Sequence, residues 1–246
     1  MKLYIAIPDG LSPVLPPRFA PARMLYHIRG SRLCRARGGG SERGGIMVIS
    51  VSGYAGGGPL SALTGEIEIE ASKWGCEGVV LDAGAEGTRR RARLANRLAS
   101  VLAPRPVFVP VSLGSAAPLA SVLIQTAISG GSLYRHLADA AERFGASRLA
   151  LECDRIRMDF ALPCPGGVGE ELGAGRFDEL LSGAPRAFFS EALGVNYFYR
   201  REGSSRRVTL FDDAESIRRK LALAETFGIA RAFLYYPRVS DILHEL

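Results

Sequence analysis

The sequence predicts an α/β fold, a (β/α)8 TIM barrel with a small α+β insertion between its seventh and eighth strands. Three observations carry that expectation. The chain has 246 residues, close to the usual length of one such barrel. It contains eight short apolar runs, most of them continuously apolar rather than alternating. Strands covered on both faces of a parallel sheet have that pattern. Helical segments lie between the runs and close just before the next one, which is the βα rhythm.

In order, the runs are Leu3–Ile7, Met24–Ile28, Ile46–Val51, Gly78–Leu81, Pro106–Val111, Val122–Thr126, Ser147–Glu152 and Ala230–Tyr235. Eight strands suit a closed barrel. A helix from about Leu60 to Trp74 stops at Gly75. Ser132 is placed to cap a helix with Leu133, Leu137, Ala141 and Phe144 on one stripe, ended by Gly145. Asp212 is the expected cap of another, with Glu215 completing a capping box and Ile217, Leu221, Ala224 and Phe227 on its buried face.

Two stretches break the rhythm. Residues 29–45, rich in Gly and Arg, read as a long loop. Residues 155–211 are too long for one βα unit and hold the alternating segments Arg157–Leu162, Val195–Arg201 and Arg207–Phe211. Glu202-Gly203-Ser204-Ser205 reads as a hairpin turn between the last two. This stretch is taken as an antiparallel insertion within a single domain spanning 1–246. Two small domains are the second reading.

Composition narrows the function classes. The apolar fraction is 47% and the formal charge is +6, compatible with a sizeable core. The densest basic run, Arg89, Arg90, Arg91, Arg93 and Arg97, is interleaved with Leu94, Leu98, Val101 and Leu102 at helical spacing. It reads as the solvated face of an amphipathic helix, so no nucleic-acid partner is expected. Cys34, Cys76, Cys153 and Cys164 form no CxxC pair and have no His at ligand spacing, so no metal is expected. Their scatter suits free thiols in a reducing compartment. Gly56-Gly57-Gly58 lacks the Lys-Ser/Thr ending of a phosphate cradle, and no cofactor is expected. No signal-peptide pattern and no apolar run of membrane length is visible, so the expected location is cytoplasmic.

Two segments carry a resemblance. One is Gly75-Cys76-Glu77-Gly78-Val79-Val80-Leu81-Asp82-Ala83-Gly84. The other runs from Val208 through Phe211-Asp212-Asp213 and Ser216 to Lys220, continuing to Phe227-Gly228-Ile229-Ala230. Together they resemble glycoside hydrolase family 18, the chitinase-like hydrolases. The first is similar to that family's fourth-strand Asp-Gly-x-x-x-Asp-x-Glu run, the second to its closing segment. The resemblance implies a barrel that binds β-linked amino sugars at the C-terminal ends of its strands. It implies that the last Glu of the signature is the general acid, that the Asp two residues earlier orients the substrate's acetamido group, and that this group is the nucleophile. Asp82 falls on the orienting Asp, Glu77 on the first Asp, and Gly84 on the acid. The family's sixth-strand Met-x-Tyr-Asp pattern is replaced by Gln125-Thr126-Ala127-Ile128-Ser129. Where the family often has a sugar-stacking Trp, this chain has Tyr235 and Tyr236.

The candidate catalytic residues are therefore Asp82, Glu86 and Glu152. Glu86 follows the fourth strand and either replaces the missing acid or solvates the next helix start. Glu152 and Asp154 end the seventh strand, forming an acidic pocket with Asp82 or pairing with Arg155 or Arg157. Ser52 and Tyr54, after the third strand, together with Asp154, Tyr235 and Tyr236, are the candidate substrate-binding residues. His136 is read as solvated on an outer helix, and His27 as able to face the pocket. The expected ligand is an N-acetylglucosamine-type glycan, bound without the family's usual acid. Two alternatives remain open: an active glycosidase with its acid relocated to Glu86, Glu152 or Asp154, and a non-catalytic protein-interaction scaffold.

Overall fold

The computed structural model describes residues 1–36, 43–84, 88–184 and 186–246. In chain order the strands are β1 (Lys2–Pro8), β2 (Phe19–Arg29), β3 (Arg32–Arg35), β4 (Ile46–Ser50), β5 (Gly78–Asp82), β6 (Val107–Pro110), β7 (Ser121–Gln125), β8 (Leu149–Glu152), β9 (Arg157–Leu162), β10 (Glu170–Glu171), β11 (Phe188–Ser190), β12 (Val195–Glu202), β13 (Ser205–Phe211) and β14 (Arg231–Tyr235). The helices are α1 (Leu60–Lys73), α2 (Arg89–Leu102), α3 (Val111–Gly114), α4 (Leu133–Phe144), α5 (Ala174–Ser182), α6 (Ala214–Thr226) and α7 (Tyr236–Val239).

Eight strands close into a parallel barrel in the order β1-β2-β4-β5-β6-β7-β8-β14, because β1 pairs with both β2 and β14. Each apolar run read from the sequence supplies one of these strands. The barrel interior is packed by Tyr4, Val48, Val80, Phe108, Leu123, Ala150 and Phe233. The Phe233 ring stacks on Tyr4 at 5.0 Å and meets Phe108 edge-on at 5.1 Å. At the N-terminal rim, Glu77 accepts hydrogen bonds from Lys2 and from the Tyr4 hydroxyl. Outside the barrel, α1 and α2 cover one side through Leu63, Ile67, Leu94 and Leu98, and α4 and α6 cover another through Leu137, Ile217 and Leu221.

Residues 29–45 are not loop throughout. Arg32–Arg35 forms β3, antiparallel to β2 through a two-residue turn in which Gly30 takes φ +64°. The short Arg-Leu-Cys-Arg edge strand hides among arginines, so composition alone reads it as loop. Positions 37–42 lie outside the described residues.

The segment between β8 and β14 forms a second, antiparallel sheet in the order β10-β9-β13-β12-β11. The β12–β13 hairpin turns at Gly203-Ser204, with Gly203 at φ +59°. One helix unseen in the sequence, α5, packs Phe177 against Phe198 and Phe211 of this sheet.

The cap of α6 is Asp213 and not Asp212. Asp213 accepts from the Ser216 N–H at 2.8 Å, and the Ser216 hydroxyl accepts from the Asp213 N–H at 3.0 Å. Asp212 is committed elsewhere. Fully buried, it accepts from Lys220 Nζ at 2.7 Å, from the Ser216 hydroxyl at 2.8 Å and from the Ile156 N–H at 3.0 Å. Glu215, the expected box partner, instead pairs with Arg218 and Arg219 at the surface.

Lys220 is also fully buried. Truncating one partner leaves the other charge buried and unpaired, which costs about 3–5 kcal/mol. Lys220→Met is expected to lower unfolding stability by that amount in urea titrations at neutral pH. A loss below about 1 kcal/mol would mean that the pair is dispensable to the junction.

Candidate functional site

Strand geometry builds the site. Side chains alternate between faces, so residues two apart on a barrel strand point the same way. Val48, Val80, Leu123, Ala150 and Phe233 face the barrel interior. Two residues further on stand Ser50, Asp82, Gln125, Glu152 and Tyr235, brought to one rim by the parallel registers Ser50↔Asp82 and Gln125↔Glu152. A cavity of about 680 Å³ opens at this rim. Its floor includes Val48, Val80, Leu123 and Phe233, and its polar lining includes Asp82, Gln125, His136, Glu152, Asp154 and Arg238.

The carboxylates differ in environment. Burial pushes the Glu152 carboxyl above the ordinary Glu range, and the neighbouring Asp154 and Asp82 push it the same way, against a hydrogen bond from the Gln125 side chain. Burial also raises Asp154; the nearby Arg238 guanidinium opposes this, and Glu171 adds to it. Arg238, in the single turn of α7, lies 3.4 Å from Asp154 and 2.7 Å from Glu171 of β10. The expected partners of Asp154, Arg155 and Arg157, both turn to Asp241. The strand ends there, and α7 brings Arg238 across to Asp154 instead.

Asp82 is exposed at the cavity and accepts the Gly84 N–H at 3.2 Å. Gly84 also lines the cavity, at φ +57°. Among the described residues nothing lies within 4 Å of where its Cβ would be. The left-handed backbone would strain a side chain there by about 1–2 kcal/mol. The chain has already left the strand at this point, so the position differs in backbone as well as in side chain.

Of the other candidates, Tyr235 lines the cavity. Ser52, Tyr54 and Tyr236 are not among the described residues that do. The Ser52 hydroxyl bonds that of Ser50 at 3.1 Å, Tyr54 packs against the core under α1 and α2, and Tyr236 packs on the core under α4 and α6. Glu86 lies outside the described residues. Glu77, aligned with the signature's first Asp, is at the opposite rim with Lys2. His27 is exposed on β2 and is not among the described lining residues. His136 corrects the expectation of a solvated outer-helix side chain. It sits in the first turn of α4, lines the cavity, and its Nε2 is 3.0 Å from the Gln125 carbonyl. Counting two residues on from Leu123 would have found Gln125. No local pattern marks His136 or Arg238, which reach the rim from flanking helices.

The raised Glu152 carboxyl has a consequence for stability. With its folded value above the ordinary 4.5, the native state holds the proton more tightly than the unfolded chain. That contribution is fully present below the ordinary value and is lost as pH rises through the folded one. Glu152→Gln is therefore expected to raise Tm relative to the native protein near neutral pH, and the gain should vanish below about pH 4.5. Thermal melts across that range check it, and a constant difference would contradict it.

Comparison with family models and with curated proteins finds no match. Solved structures do match. A glycoside hydrolase family 18 N-acetylglucosaminidase from Paenibacillus barengoltzii aligns with a TM-score of 0.67 at 10% identity, covering 99% of this chain and 98% of that one. A variant of a family 18 chitinase from Cycas revoluta, solved with (GlcNAc)4, aligns with a TM-score of 0.66 at 12% identity, covering 99% and 97%. The Bacillus megaterium spore cortex-lytic enzyme SleL aligns with a TM-score of 0.65 at 12% identity, covering 99% and 73%. The chain therefore has the barrel fold of the family 18 chitinase-like structures, in a strongly divergent sequence.

Proposed function

We propose that this protein is a chitinase-like barrel that binds N-acetylglucosamine-type glycans at its C-terminal rim without the family's usual acid. The observation that carries this reading is the pairing of Asp82 with Gly84 at the cavity. The carboxylate that would orient an acetamido group is present, while the position of the proton donor is a left-handed glycine. Tyr235 offers an aromatic face for a sugar ring. An open cavity of about 680 Å³ favours a glycan over a plugged scaffold. The similar structures include a chitinase with a bound N-acetylglucosamine oligomer. In this reading residues 1–246 act as a single domain, with 155–211 as its insertion.

A second reading, an active glycosidase, is favoured by one observation. Glu152 holds its proton above the ordinary Glu range, as a general acid working near neutrality does.

The test combines hydrolysis of a chromogenic chito-oligosaccharide with calorimetric binding of the unlabelled sugar, for the native protein, Asp82→Ala and Glu152→Gln. Binding without turnover, weakened in Asp82→Ala, supports the first reading. Turnover that falls about 10²–10⁴-fold in Glu152→Gln establishes the second. Neither binding nor turnover would sink both.

A further inference from the structure

The β12–β13 hairpin carries four arginines in two cross-strand pairs, Arg200↔Arg207 and Arg201↔Arg206. Strand alternation sends the pairs to opposite faces. On one face the charge is neutralised. The buried Asp159 accepts from Arg200 at 2.7 Å and from Arg207, and Glu202 lies 3.2 Å from Arg200 and 3.4 Å from Arg207. On the other face Arg201 and Arg206 stand exposed, with no ion pair among the described residues. Like charges directly opposite each other on a sheet repel, so this pair costs stability unless something anionic sits across it.

The same face carries an aromatic row. Tyr199 precedes Arg201 by two residues and is 54% exposed. Its ring meets Tyr197 edge-on at 5.5 Å, and Tyr197 stacks on Phe188 at 5.5 Å. The inner end of the row lies on the side of the barrel's C-terminal ends, since Tyr197 packs on the same apolar cluster as Ala127, two residues beyond the end of β7. Uncompensated guanidinium groups select carboxylates through charge-assisted bonds, and rings with a polar tip select flat, hydroxylated surfaces.

We propose that this face, formed by Phe188, Tyr197, Tyr199, Arg201 and Arg206, binds a carboxylate-bearing polysaccharide running outward from the barrel mouth. The inference rests on the glycan reading of that mouth and adds the acidic character of the chain. The exposed Tyr199 ring takes a sugar face with Tyr197 and Phe188 packed behind it, and the arginine pair takes the carboxylates.

The test uses three labelled probes: a hyaluronan oligosaccharide, which alternates N-acetylglucosamine with a uronic acid; neutral chitohexaose; and oligo-dT. Binding is measured for the native protein, Arg201→Gln/Arg206→Gln, Tyr199→Ala and Asp82→Ala. All substituted side chains are exposed, and circular dichroism verifies folding. The double variant is expected to lose about tenfold in hyaluronan affinity while chitohexaose binding is unchanged. Hyaluronan binding should also weaken between about 0.05 and 0.5 M salt. Equal hyaluronan affinity in the native protein and the double variant, or no hyaluronan binding at all, overturns the proposal. So does tighter binding of oligo-dT that the double variant abolishes, which would make the face a nucleic-acid surface. Loss of chitohexaose binding in Asp82→Ala reports on the mouth alone. The mouth reading and this inference therefore fail separately.

Discussion

Everything at the candidate site follows from one constraint, the closure of eight parallel strands by pairing β1 with both β2 and β14. A parallel barrel has no free edge, so each strand is covered on both faces. Because all strands run one way, their C-terminal ends share a single rim. Because side chains alternate, every second residue faces the interior. Phe233 and its neighbours fill the interior below. The next inward positions, Asp82, Gln125, Glu152 and Tyr235, then have only the rim to occupy. The site is the layer at which apolar filling stops.

The antiparallel sheet between β8 and β14 is joined to the barrel through buried charge. Asp212 holds Lys220 on α6, the Ser216 hydroxyl and the Ile156 N–H where the sheet begins. Nearby, the Arg155 guanidinium donates to the Asp212 carbonyl at 2.9 Å and to the Arg238 carbonyl at 3.1 Å. Arg238 then faces Asp154 and Glu171. The joint is thus continuous with the cavity lining. The buried Asp212–Lys220 pair at its centre favours one arrangement, because any alternative would strand a charge in a low-dielectric region. Position, rather than net energy, is what such a network contributes at the edge of the cavity.

The site's electrostatics are asymmetric. Asp82 is open to solvent, whereas Glu152 is partly buried and shares its surroundings with two other carboxylates. Environment alone separates groups of the same chemistry into different protonation behaviour. If Glu152 serves as the acid of the glycosidase reading, it and Asp82 stand on different strands, β8 and β5, rather than two residues apart on one. That is a different geometry from the D-x-E strand end that the sequence resembles, and Gly84 shows why. The backbone has turned left-handed where the second carboxylate would need an extended strand.

Local sequence determined a large part of this protein. All eight barrel strands, the Ser132-capped helix and the Glu202–Ser205 hairpin were legible, because continuous apolar runs, capping side chains and glycine turns act over a few residues. Asp82, Glu152, Asp154 and Tyr235 were legible as strand-end side chains for the same reason. Tertiary structure alone decided the rest. It drew Asp212 into a buried pair and left the cap to Asp213. It swung His136 and Arg238 to the rim from helices whose own patterns point elsewhere. It sent two arginines of one hairpin onto a buried aspartate and left their neighbours with no ion pair among the described residues. Each outcome depends on groups far apart in the chain meeting in space, and a pairing of that kind leaves no period or spacing in the sequence to be read.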